Sequence, residues 1–567
     1  MSVLHLLTLF LLVAVSGAKF SGRPGVNYGQ LGDNLPSPSD SVKLIQSLNA
    51  KRVKLYDANP AILAALNATD ITVSVMVPNE LIVNISKSST LSDEWIRSNI
   101  LPFHPTTKIR YLLVGNEILS SADSELKSAL VPAMRKIQRS LKKLSVKKVK
   151  VGTTLAVDVL KTSFPPSSGE FRSDISGSVM KPMLQFLNRT KSFLFVDVYP
   201  YFPWAQDPAH VDLGYALFES TNVTVTDPAT NLTYHNLFDQ MIDAFVFATS
   251  RLGYPDLRIW VAETGWPNNG DYDQIGANVY NAATYNRNVV KKLSAVPPVG
   301  TPARPGKVLP SFIFALFNEN QKTGPGTERH FGLLHPNGSR VYEIELSGET
   351  TEFKEKLPAP ENNEVYKGKI WCVVAKGANW TQLGEALSYA CSQGNNTCDP
   401  IKSGGPCHKP DLTVLHASYA FSSYWASFRK TGGTCSFNGL ATQTIKDPSK
   451  LWTLRVSERD TVTTNELRQC RERCYCLISR FDLLESTWLP WQQKKHAVPF
   501  VVLAGSHKLC PLYPHNPEVL LNELRSPSEL LDFDEFSDCL DFGLGSGSPL
   551  FQVVNPTFDS VGPTKPF

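Results

Sequence analysis

Two stretches decide the fold: Ile109-Arg-Tyr-Leu-Leu-Val-Gly-Asn-Glu117 and Arg258-Ile-Trp-Val-Ala-Glu-Thr-Gly-Trp266. Each is a nearly unbroken apolar run that ends abruptly in an amide, an acid or an aromatic. Such runs mark strands covered on both faces, as in a parallel sheet. Six more fit the pattern: Val26–Gln30, Val53–Asp57, Ile71–Pro78, Val149–Asp158, Phe193–Tyr201 and Phe312–Asn318. The gaps carry helical periodicity, as over Glu125–Leu144 and Leu237–Leu252. Eight β/α repeats in about 320 residues predict an α/β fold of the (β/α)8 TIM-barrel type over residues 24–348. An open doubly wound sheet is the alternative, but no G-x-G-x-x-G follows the first strand.

In such a barrel the chemistry sits where the strands end. Those ends read Asn27-Tyr28-Gly29, Tyr56-Asp57, Asn79-Glu80, Asn116-Glu117, Asp158, Tyr199-Pro-Tyr201, Glu263-Thr-Gly-Trp266 and Asn318-Glu319-Asn320. There is no Ser elbow and no H-E-x-x-H zinc pattern. Carboxylates beside aromatic platforms suit glycoside hydrolysis, whose transition state is a cationic, oxocarbenium-like sugar. Strand seven lies across the mouth from strand four, so Glu117 and Glu263 can face each other across one bond. Asn116 is placed to bond a sugar hydroxyl, Glu117 to protonate the leaving oxygen, and an ionised Glu263 to attack the anomeric carbon. A protonated Glu117 at working pH requires a raised pKa. For either acid alone, a strand-end salt bridge is the plainer reading.

The motifs Val26-Asn-Tyr-Gly, Val53-Lys-Leu-Tyr-Asp, Val114-Gly-Asn-Glu, Val198-Tyr-Pro-Tyr, Glu263-Thr-Gly-Trp-Pro and Phe317-Asn-Glu-Asn-Gln-Lys-Thr-Gly-Pro-Gly-Thr-Glu328-Arg resemble plant family 17 glycoside hydrolases, from about Gly25 to Ser347. Those are endo-β-1,3-glucanases. The resemblance implies a retaining double displacement, with Glu117 as acid/base, Glu263 as nucleophile and the carboxyls roughly 5–5.5 Å apart. It implies no metal and no cofactor. Glu319, Lys322 and Glu328 match a charged cluster that either meets substrate or is an ion-pair network orienting the acids. Tyr199 is expected to bond Glu263. Tyr28, Tyr56, Tyr201, Phe202 and Trp266 are candidates for stacking on sugar, some of them serving the core instead. The family usually has Asn two residues before the strand-six Tyr, where this chain has Asp197.

The rest of the chain sets the context. Of 567 residues, 42% are hydrophobic and 19% charged, and the formal net charge is only +4. That balance excludes wholesale disorder and gives no strong field for nucleic acid. Residues 1–18, with an apolar run over Leu6–Val15 and small residues Ser16 and Ala18, read as a signal peptide; no run is long enough to span a membrane. Sequons at Asn67, Asn84, Asn188, Asn222, Asn231, Asn337, Asn379 and Asn395 agree with a secreted, extracellular or cell-wall glycoprotein.

All ten cysteines follow residue 371. Cysteine density marks a small stapled module, here expected to be mainly helical, over residues 370–449 behind a polar linker, 349–369. Cys372, Cys391, Cys398, Cys407 and Cys435 are its disulfide candidates. Trp371-Cys372, Ala390-Cys391-Ser-Gln-Gly, Gly405-Pro-Cys407, His416-Ala-Ser-Tyr-Ala-Phe-Ser-Ser-Tyr-Trp425 and Gly432-Gly-Thr-Cys435 resemble the family 43 carbohydrate-binding module, which binds β-1,3-glucan. Most of Tyr419, Phe421, Tyr424 and Trp425 are expected in its core. The sixth cysteine of that module is absent after Asp447-Pro-Ser, and Cys470-x-x-x-Cys474-x-Cys476 offers a substitute partner or a metal site. Residues 450–567 resemble nothing and are left unassigned, open between disorder, a divergent exon and a misjoined gene model.

The reading that follows is a secreted, monomeric endo-hydrolase of β-1,3-glucan. Two others stand beside it: a non-catalytic glucan-binding wall protein and a transglycosylase of the same fold.

Overall fold

The computed structural model describes residues 22–448 except 220, 221, 351 and 395. Residues 1–18, Asn395, Cys470, Cys474, Cys476 and the stretch 450–567 lie outside the described residues.

Eight parallel strands form the sheet: β1 (Gly25–Tyr28), β2 (Arg52–Leu55), β3 (Thr72–Val77), β4 (Lys108–Val114), β5 in two pieces (Lys150–Gly152 and Thr154–Leu155), β6 (Leu194–Asp197), β7 (Ile259–Thr264) and β8 (Ser311–Ile313). The first piece of β5 pairs with β4 and the second with β6, while β1 pairs with both β2 and β8. The ring is thereby closed, as the eight apolar runs require. Each strand is shorter than its run, because pairing stops where neighbours diverge. Tyr56, Asp57, Asn116, Glu117 and Tyr199 are thus left on loops at the mouth.

Helices cover the outside. They include α1 (Pro38–Ser47), α2 (Ser124–Lys143), α3 (Leu237–Arg251) and α4 (Val279–Ser294). The Asp123 side chain caps α2 by accepting from the Glu125 and Leu126 amides, and Asn236 caps α3. Val26, Val53, Val75 and Val261 face these helices. The lower barrel interior is plugged by Met76, Tyr111, Leu113, Phe193, Phe195, Trp260, Ala262 and Phe312. Trp260 stacks between Phe195 and Phe312, with ring centroids 5.6 and 5.4 Å away. This apolar floor leaves the polar layer above it next to the mouth.

A second, smaller core belongs to the C-terminal module. There β9 (Trp371–Val374) pairs antiparallel with β10 (Ala441–Thr444), and α5 (Trp380–Ser392) packs on α6 (Thr413–Phe428). Disulfides Cys372–Cys435 and Cys391–Cys398 staple it. Cys407 is disulfide-bonded too. Phe421 and Trp425 are buried, as expected of core aromatics, whereas Trp380 is 68% exposed.

The described residues of 349–369 hold no helix or strand, yet the stretch is no free tether. Glu355 pairs with Arg287 at 3.0 Å, and Asn362 and Asn363 bond Asn278 on the barrel. The seven described sequon asparagines are all exposed. Among the described residues no helix is long and apolar enough to cross a membrane.

Candidate active site

The mouth of the barrel opens into a cleft of about 1250 Å³. Glu117, Glu263, Asn116, Tyr56, Tyr199, Glu319, Lys322 and Glu328 all line it, together with Asp197, Phe202, Phe314 and Phe331. The two acids, far apart in sequence, therefore share one cavity.

Glu263 is buried at the end of β7. Lys54 donates to its Oε1 at 2.6 Å, Tyr56 to the same oxygen at 2.6 Å, and Tyr199 to Oε2 at 2.7 Å. Burial pushes the carboxyl pKa up, but Lys54 and the two phenols outweigh it and hold the group below its ordinary value. Burial pushes both phenols well above their ordinary value, so they remain O–H donors.

Glu117 sits at the end of β4 with φ +49°, a left-handed backbone that costs a non-glycine residue energy. Its amide donates to the carbonyl and the hydroxyl of Thr154, both at 3.3 Å. Gly115, two residues earlier, has φ +76°, and a Cβ there would come within 2.1 Å of Ile118. Only glycine allows this turn. Burial first, and then the charge of Glu263, pushes the Glu117 carboxyl up to about 7. Thr154 also donates to Asn116 Oδ1 at 2.8 Å, and this fixes the amide orientation.

Asp197 lies beside both glutamates at the end of β6 and is buried. Burial, reinforced by the charge of Glu263, pushes its carboxyl pKa well above the ordinary value. Its carboxyl meets that of Glu117, a contact that raises the proton affinity of Asp197 and lowers that of Glu117.

On the opposite rim, buried Glu319 accepts from the Leu31 amide at 2.8 Å. Lys322 lies 3.7 Å from Glu328 and 4.2 Å above the Phe314 ring. Burial raises both Glu319 and Glu328, with Lys322 opposing.

Three aromatics expected as sugar-stacking candidates are elsewhere: Tyr201 is buried against Trp266 outside the cleft lining, and two more have gone the same way. Tyr28 is buried with its ring edge against Phe317, and Trp266 is fully buried between Tyr201, Trp204 and Tyr285, its indole N–H bonded to the Gly276 carbonyl. Neither lines the cleft, so both serve packing: apolar bulk at a strand end went into the barrel–helix layer. Sequence reasoning missed Lys54 as the partner of Glu263. Its signal was a cation inside the apolar run Val53-Lys-Leu-Tyr, where a solvated lysine has no place.

The arrangement sets a pH dependence. The site favours an ionised Glu263 and a Glu117 that keeps its proton up to about pH 7, the pairing that acid-assisted displacement would need. Activity should fall as pH drops through the depressed Glu263 value and as it rises through about 7 at Glu117. Rates of kcat/KM against pH should trace this bell, and a flat profile would exclude the pair.

A (β/α)8 barrel with two carboxyls of opposed proton affinity in one aromatic-lined cleft defines a glycoside hydrolase. The chain belongs to the glycosyl hydrolases of family 17, whose model matches residues 24–346, and residues 370–442 match the X8 domain. A "Probable glucan endo-1,3-beta-glucosidase A6" of Arabidopsis thaliana is 52% identical over 426 residues, covering 75% of this chain and 89% of that protein. A "Glucan endo-1,3-beta-D-glucosidase" of Olea europaea is 36% identical over 79% of this chain and 96% of its own length. Among solved structures, CJP38, a beta-1,3-glucanase and allergen of Cryptomeria japonica pollen, superposes with a TM-score of 0.54 at 40% identity, covering 57% of this chain and 99% of its own. The carbohydrate-binding nature of the C-terminal module rests on the X8 match, which is broader than the family 43 resemblance.

Proposed function

We propose that the protein is a secreted, monomeric endo-hydrolase that cleaves internal β-1,3-glucosidic bonds of a callose-like glucan by double displacement. The observation that carries it is the pair Glu117 and Glu263 on one cleft, one held protonated near neutrality and the other held ionised. The names of the Arabidopsis and olive relatives supply the linkage.

Glu263, kept anionic by Lys54, Tyr56 and Tyr199, attacks the anomeric carbon. Glu117 gives its proton to the departing glycosidic oxygen, so the bond breaks without expelling an alkoxide. A glycosyl ester on Glu263 remains. Glu117, now ionised, takes a proton from water, whose oxygen attacks the same carbon and releases Glu263. Burial near Glu263 gives Glu117 its high proton affinity, and forming the ester removes that negative charge, which eases its second role as base. Asn116, Tyr199 and the Glu319–Lys322–Glu328 group contact the sugar chain, and the rings of Tyr56, Phe202, Phe314 and Phe331 supply apolar surface. The module, through its resemblance to family 43, adds a second hold on β-1,3-glucan. Eight sequons behind the Leu6–Val15 run support export to the cell wall.

Replacing Glu117 by Gln should lower kcat on laminarin oligomers by about 10²–10⁴, the usual contribution of a general acid. In kcat/KM, which reports the first displacement alone, an aryl glucoside with an acidic leaving group should lose far less than laminarin oligomers, because it departs without a proton. Equal losses on both substrates would refute the assignment. Mass spectrometry of products distinguishes hydrolysis from glycosyl transfer, which alone yields oligomers longer than the donor.

A further inference from the structure

One constellation outside the cleft is unused by this chemistry. His408, Asp411 and His416 come together in the module where the chain leaves Cys407 and enters α6. His408 Nδ1 faces the Ile401 carbonyl at 3.1 Å, and His416 Nε2 faces the His408 carbonyl at 2.8 Å. A carbonyl only accepts, so each of these ring nitrogens carries a proton. In the neutral imidazole the remaining nitrogen is then a bare lone pair. Those two nitrogens, His408 Nε2 and His416 Nδ1, both turn to one carboxylate, 3.9 Å from Asp411 Oδ2 and 3.8 Å from Oδ1.

Such distances are too long for hydrogen bonds, and the repulsion between these lone pairs and the carboxylate is relieved either by a proton on a ring or by a cation held between the three groups. The ligand atoms all fall within 4.8 Å of one another. An ion bound at about 2.0–2.2 Å to imidazole nitrogen and carboxylate oxygen holds its ligands roughly 3.3–4 Å apart, so little movement is needed. Asp411, 70% exposed, is free to supply it, while the half-stacked rings of His408 and His416, 5.5 Å apart, are fixed by their outer bonds. An outer N–H bonded to a carbonyl is what orients a metal-ligating histidine.

We propose that His408, Asp411 and His416 bind a divalent late transition-metal ion of the zinc type, with solvent completing its coordination. Two imidazoles and one carboxylate suit such an ion and not Ca²⁺ or Mg²⁺, which seek oxygen ligands. The ion ties the loop after Cys407 to the first turn of α6 and adds a cross-link to a module with a small core.

The test is titration of the chelator-stripped full-length protein with Zn²⁺ by calorimetry and with Co²⁺ by visible absorption. Wild type should bind one Zn²⁺ per chain more than His408→Phe, at a half-buried position, and Asp411→Ala, at an exposed one, with near-ultraviolet circular dichroism unchanged. The Co²⁺ bands lost in these variants should lack thiolate-to-cobalt charge transfer, which separates this site from Cys470, Cys474 and Cys476. Equal Zn²⁺ stoichiometry and affinity in all three proteins would overturn the proposal, as would a difference spectrum of thiolate character.

Discussion

Glu263→Ala is expected to abolish turnover of laminarin oligomers, with kcat reduced by roughly 10⁴–10⁶-fold, the scale seen when a covalent nucleophile is removed. The carboxylate supplies the only covalent bond from protein to sugar in the proposed cycle, and the neighbouring Asp197, its proton affinity raised by burial, is a poor substitute nucleophile. The truncation also leaves a space at the anomeric carbon. Added azide should therefore restore cleavage of an aryl glucoside and give a glycosyl azide of inverted configuration. Inversion is the informative part, because one displacement then replaces two. Wild-type rates in the variant, or rescue with retained configuration, would assign the nucleophile elsewhere.

Lys54→Met is expected to damage both activity and stability, without touching sugar. The Lys54 ammonium is fully buried and its contact with Glu263 is 2.6 Å, with the Glu263 side chain only 8% exposed. Breaking a buried pair by removing one partner costs about 3–5 kcal/mol, because the other charge is left in a low dielectric. Glu263 can escape that cost by taking up a proton, since burial would then dominate its pKa. The acid limb of the pH profile should thus move upward, toward the Glu117 value near 7. The microstate with Glu117 protonated and Glu263 ionised then becomes a minority at every pH, and the peak rate should drop by at least roughly tenfold. A rate–pH series together with thermal melting checks both halves. An unmoved acid limb would show that the two tyrosines alone keep Glu263 ionised.

Much of this site was legible in the chain because catalytic side chains on a barrel sit at strand ends, and the ends of apolar runs are visible. Asn116-Glu117 and Glu263-Thr-Gly-Trp266 are such ends. Tyr199 bonds the Glu263 carboxylate as its position suggested. Less legible was the split among aromatics. Tyr56 and Trp266 look alike as strand-end rings, yet one hydroxyl reaches Glu263 while the other indole disappears between Tyr201, Trp204 and Tyr285. Nothing local separates them, because the difference is which layer of the wall each strand end turns toward. The module shows the same limit. Its cysteines announce the staples, but His408 and His416 are eight residues apart and meet only because the loop folds back on α6.

The sequence by itself pointed to the barrel and brought Glu117 and Glu263 forward as strand-end acids, since apolar runs that alternate with helical patterns and terminate in polar groups fit few other arrangements. Tertiary structure alone decided where Glu263 points. Strict alternation along β7, from the inward Trp260 and Ala262, would turn Glu263 outward beside Val261 and send Thr264 into the barrel. Instead Val261 pairs with Val196 and Glu263 with Asp197, so one extra residue bulges between them. The bulge turns Glu263 inward to Lys54 and lets the Thr264 hydroxyl meet Tyr285 of α4 at 2.6 Å. A bulge arises from how two strands fit against each other, and no single run of residues records it.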